Sequence, residues 1–150
     1  EEGKMRDRES ARRAWAILFA RGVLGMIFFM AGVYKVFRMT PVGHAQRLFV
    51  GPYADTFLPA WSLWLAGLTI PFVELAAGAL LLLGWKVRDA LVALGAVLLV
   101  VTFGHLLKEP FYEFHTHVIP HLALLLFILL LPAEADRFSV DSWLGRKENP

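Results

Sequence analysis

The chain has 150 residues, 57% of them hydrophobic, a mean hydropathy of +0.56 and a net charge of +2. A soluble domain is nearer roughly 45–50% apolar, and the excess here falls in four blocks, so composition points to a single integral membrane domain over 1–150. The absence of cysteine removes thiol–disulfide chemistry, iron–sulfur ligation and cysteine zinc sites from this chain. The basic balance does not indicate nucleic acid, because Lys and Arg gather at the ends of the apolar blocks, where membrane topology puts them.

In chain order, residues 1–14 form a basic arm of mixed sign that does not read as a secretory signal. A first span is expected at about 15–37. Residues 38–60 are rich in Gly and Pro, with 45–50 as a short interfacial helix. A second span follows at about 61–85, and a tight turn leads to a helix N-terminus at Asp89. The third span is about 89–107, the linker 108–116, and the fourth span about 117–132. The tail 133–150 is polar, with Phe138, Val140, Trp143 and Leu144 placed to lie on an interface. Ser139 and Asp141 look like capping residues for a short terminal helix. The expected fold is all-α: a four-transmembrane-helix bundle with a short interfacial segment between helices 1 and 2.

Four crossings put both termini on one side. That side carries the basic arm, Lys86, Arg88, Arg137, Arg146 and Lys147, against Lys35, Arg38, Arg47 and Lys108 on the other. The positive-inside bias then makes both ends cytoplasmic, in a bacterial inner membrane.

Arg21, Lys35 and Glu74 stand inside the first two spans. Glu74 is the only charge between Trp61 and Trp85. An acid at a helix centre costs roughly 2.5–3.5 kcal/mol on insertion scales unless something pairs or solvates it. Arg21 and Lys35 share a face of the first span within about 40° at 100° per residue. With the spans centred near Met26 and Val73, Arg21 is the expected partner of Glu74, and Lys35 snorkels outward. That pair reads either as a structural lock on helix register or as the border of a polar pocket for a redox or lipid-like ligand.

Four histidines fall in the second half: His105, His115, His117 and His121. His117 and His121, spaced i, i+4, are weak candidates for a metal or haem. Interfacial or capping roles are the plainer reading, and no metal centre is expected. A hydrogen bond from His105 or His121 to a quinone carbonyl lies between these. The ligand-pocket candidates are thus Arg21, Lys35, Glu74, His105 and His121, with no catalytic residue. Gly22, Gly25, Gly32, Gly67, Ala77, Gly78, Ala93 and Ala96 are expected at close helix contacts, since small residues let transmembrane backbones approach.

The strings Arg21-Gly22-Val23-Leu24-Gly25-Met26-Ile27-Phe28, Ala31-Gly32-Val33-Tyr34-Lys35, Glu74-Leu75-Ala76-Ala77-Gly78 and Arg137-Phe138-Ser139-Val140-Asp141, in this order, resemble the DoxX/DoxD family of small four-helix membrane proteins. The resemblance implies association with membrane oxidoreductases, thiosulfate:quinone oxidoreductase being the namesake. The expected function is therefore an accessory subunit that packs against other transmembrane subunits of a redox or energy-conversion complex and is not catalytic on its own. The alternative is a quinone-interacting subunit. No covalent cofactor is expected; quinone is the one possible cofactor, and the partners are the bilayer and neighbouring subunits.

Overall fold

The computed structural model describes residues 1–109 and 114–148. Helix α1 (Glu2–Val33) loosens into a π turn at Tyr34–Arg38, closed by an i→i+5 bond from Met39 N–H to Tyr34 O at 3.0 Å. The expected basic arm is thus the first turns of α1 rather than a separate segment. Helix α2 (Pro41–Ala45) continues as a second π turn, Gln46–Val50. Then come α3 (Ala60–Leu83), α4 (Val87–Lys108), α5 (Phe114–Leu130), a 3₁₀ turn at Ala133–Ala135 and α6 (Val140–Glu148).

The described residues contain no strand, and three helices are long and apolar enough to cross a bilayer: Glu2–Arg38, Ala60–Leu83 and Val87–Lys108. The sequence led us to expect four. Helix α5 has 17 residues, about 25 Å at 1.5 Å per residue, and its apolar part is the shorter Val118–Leu130. It nevertheless packs as the fourth rod of the bundle: Leu125 and Ile128 join Ile17, Leu24, Leu81 and Leu94 in one buried cluster. Around that cluster Phe19, Met30, Leu65, Leu83, Val92, Leu99 and Leu130 point outward and exposed. An apolar surface on nearly all sides is stable in hydrocarbon and not in water. The chain is an integral membrane protein.

Close approach of α1 and α3 sets the register. A Cβ on Gly32 would lie 2.4 Å from Leu75 N, one on Gly78 2.4 Å from Phe29 N, and one on Gly25 3.2 Å from Gly78 O. No larger side chain fits at Gly32 or Gly78, which is how two backbones come within van der Waals reach. Gly22 and Ala96, expected at such contacts, take no part: a Cβ on Gly22 would meet nothing within 4 Å, and Ala96 is exposed.

The segment Pro41–Val50 packs along α3, with Ala45 fully buried and its Cα 2.5 Å from where a Cβ on Gly67 would stand, while Gln46, Arg47 and Leu48 are exposed. Thr40 starts α2 by accepting from Gly43 N–H at 3.1 Å, with Pro41 in the first turn, where its missing donor costs nothing.

Candidate functional site

Two polar centres lie fourteen positions apart, at Arg21 in α1 and at Lys35 in the π turn that follows it, and the sequence reading exchanged their partners. Arg21 is only 1% exposed, and it does not meet Glu74. Its guanidinium donates to the Leu81 and Leu82 carbonyls in the last turn of α3, and to Phe138 O at 3.4 Å. Arg21 Nε lies 3.2 Å from Asp136 Oδ2. Neither that nitrogen nor the Asp136 oxygens are aligned for a hydrogen bond, so charge attraction rather than directed bonding holds this contact. Burial pushes the Asp136 carboxyl above the usual carboxylate range, against the pull of Arg21.

The chain turns here, and its backbone N–H groups are held in place. Gly84 (φ +71°) closes α3: its N–H goes to Leu81 O and that of Trp85 to Leu80 O. A Cβ on Gly84 would strike Ser139 and Arg21 at under 3 Å. Ser139 caps α6 as expected, accepting from Ser142 N–H at 3.0 Å. Asp141 caps a different helix. It accepts from Lys86 N–H and Val87 N–H at 2.9 and 3.0 Å, so α4 begins at Val87, ahead of the expected Asp89. Arg21 is a structural clasp.

Glu74, 4% exposed, pairs with Lys35: the ammonium donates to both carboxylate oxygens at 2.8 and 2.6 Å. Lys35 therefore turns inward rather than snorkelling. The glycine contacts explain both exchanges. Setting Met26 opposite Val73 misplaces the α1–α3 register by roughly eight residues, about 12 Å, enough to carry Glu74 from Arg21 to Lys35.

The Lys35–Glu74 pair borders open space. A cavity of about 150 Å³ is lined by both residues, with Phe28, His105, Val118 and His121. A larger one of about 490 Å³ lies between α2, α3 and α4 and is lined by Lys35, His44, Tyr53, Ser62 and His105 among mostly apolar side chains. Lys35, Val101 and His105 line both. Four of the five expected pocket residues thus converge, and Arg21 stands apart. The side chains of His115 and His117 lie outside the described residues, and with them the His117–His121 metal pairing. Among the described residues no three His, Asp or Glu side chains form a cluster able to hold a metal ion.

His44 was missed. It is 1% exposed, and its Nδ1 lies 2.6 Å from Gly67 O. Pro71, buried inside α3, has no N–H to give the carbonyl four residues back, which is that of Gly67. A carbonyl only accepts, so His44 Nδ1 carries the proton and fills the vacancy. The usable signal was Pro71 itself, since an intramembrane proline requires a donor from elsewhere. Burial is the main force lowering the His44 pKa, helped by the nearby Lys35 ammonium and opposed by the Gly67 bond and Glu74. The imidazole is neutral near pH 7.

The family model for the methylamine utilisation protein MauE matches residues 13–108. That stretch is more than half of the chain and holds Arg21, Lys35, His44, Glu74 and His105. No curated protein and no solved structure matches. The resemblance to DoxX/DoxD is corrected by this finding: strings such as Glu-Leu-Ala-Ala-Gly are what any closely packed transmembrane helix uses, so they separate poorly between families. The chain belongs to the MauE family.

Proposed function

We propose that this chain is a membrane accessory protein of an amine-utilisation system, acting through a partner that it helps to assemble or mature. The observation that carries this reading is the family match, which extends over most of α1 through α4 and thus over Lys35, Glu74 and the larger cavity beside them. A broad exposed apolar surface leaves faces for a transmembrane neighbour.

Under the same proposal α5 completes a fourth crossing, and both termini are cytoplasmic in a bacterial inner membrane. Two features support this. Asp136, just beyond α5, returns to Arg21 at the α3–α4 turn, and that end also carries Lys86, Arg88 and Arg137.

The test is genetic and topological. Removing the chain from a host that grows on methylamine should abolish that growth and lower the amount of the amine-oxidising partner. Restoring wild type should rescue it, whereas Glu74→Gln should rescue it poorly although the protein inserts normally. Undiminished growth without the chain contradicts the role. A fluorescent protein fused after Pro150 should glow in the cytoplasm, and alkaline phosphatase activity at that position contradicts the fourth crossing.

A further inference from the structure

We propose that the cavity between α2, α3 and α4 binds a membrane-soluble hydroxyaromatic ligand of quinol type, whose ring hydroxyl donates to His44 Nε2. The site follows from one vacancy in a helix. Pro71 leaves the Gly67 carbonyl without its helical donor, and His44 Nδ1–H occupies it at 2.6 Å. That commitment fixes the tautomer, so Nε2 holds the lone pair. His44 lines a cavity of about 490 Å³, within the range of roughly 300–1,000 Å³ typical of small-molecule sites.

The chemistry of the walls selects the ligand. Leu63, Ile70 and Phe49 supply an apolar body, while Val100 and Phe103, both about half exposed, stand where the cavity meets lipid. A neutral imidazole nitrogen at such a place accepts a hydrogen bond and gives none, so it favours a ligand that brings a hydroxyl. The charged group in the lining is the Lys35 ammonium, already held by both oxygens of Glu74, and Tyr53, Ser62 and His105 add further polar atoms. A phospholipid phosphate, which only accepts, finds no donor at His44 and a neutralised one at Lys35. A ring carrying a hydroxyl at each end fits better: one end donates to Nε2, and the other oxygen faces the Lys35 side. The inference rests on the bundle lying in a bilayer and not on the amine-utilisation reading, so the growth test above can fail without touching it.

The test uses the full chain in phosphatidylcholine nanodiscs, titrated anaerobically with a decyl-substituted benzoquinol, with empty nanodiscs as the measure of partition into lipid. One saturable site is expected, binding the reduced form several-fold more tightly than the oxidised quinone. His44→Asn keeps an N–H for Gly67 and removes the ring acceptor. It should leave thermal stability nearly unchanged and weaken binding about tenfold, the scale of one lost hydrogen bond. Ala66→Trp, which fills the cavity from α3, should abolish binding. Uptake no greater than in empty nanodiscs, binding that survives Ala66→Trp, or equal affinity for the oxidised form overturns the assignment. Should His44→Asn fail to fold, the preference for the reduced form decides alone.

Discussion

Arg21 in α1 and Lys35 in the π turn that follows it are two inward-facing cations, and their surroundings differ. At Arg21 the chain closes on itself: backbone carbonyls of α3, the Asp136 carboxylate and the Phe138 carbonyl surround the guanidinium, while Asp141 caps α4 from the far end of the chain. At Lys35 the same kind of charge meets one acid, and the space beyond it is open on two sides. A buried charge enclosed by backbone carbonyls and a carboxylate fixes geometry. In a membrane both cations cost desolvation, but only the second borders open space.

The largest expected effect follows at the clasp. Arg21→Met leaves Asp136 and two helix-end carbonyls buried without a partner, and should cost about 3–5 kcal/mol in equilibrium unfolding in mixed micelles. Lys35→Met strips only Glu74, which the adjacent cavity can hydrate, so its loss should be clearly smaller. Equal losses would erase the distinction between the two cations. Next comes Gly78→Val, which forces α3 away from Phe29 and should cost about 1–3 kcal/mol as an overpacked contact. Gly22→Ala, on the same helix pair but with open space, should be neutral or slightly stabilising.

Asp141→Ala removes the cap that the C-terminal segment lends to α4 and should cost about 1 kcal/mol, read as earlier fraying of α4 in hydrogen exchange. A smaller effect is expected with pH. Because the His44 pKa is lowered in the folded chain, the unfolded chain binds more protons just below the ordinary histidine value of 6.5, so stability should rise with pH through that window. His44→Asn should flatten the rise; an unchanged profile would locate it in another group. A surface tie joins Lys108 to the exposed Asp55 at 2.5 Å. Lys108 holds the Asp55 carboxyl below its usual range, so that tie persists as pH falls through ordinary carboxylate values.

Much of this was legible in the residues. Long apolar blocks marked where α3, α4 and α5 run, because hydropathy and length carry most of that signal, whereas the start of α1 at Glu2 was hidden by the charges of its first turns. Lys35, Glu74, His105 and His121 stood out because ionisable groups in apolar runs need partners. Register was not legible: it depends on which of several glycines meet, and Gly32 and Gly78 carry no mark that distinguishes them from Gly22. Contacts between distant segments were equally hidden, as Asp141 reads as a cap for its own helix and serves another. His44 escaped notice because its role answers Pro71, 27 residues later in the chain.

The partner of Glu74 is the point on which this account turns. A double-mutant cycle over Lys35→Met and Glu74→Gln, set beside one over Arg21→Met and Glu74→Gln, measures it directly by unfolding in micelles. The first pair should couple by about 0.5–3 kcal/mol and the second should add within about 0.5 kcal/mol. Coupling between Arg21 and Glu74, with Lys35 and Glu74 merely additive, would contradict the register and the site built on it.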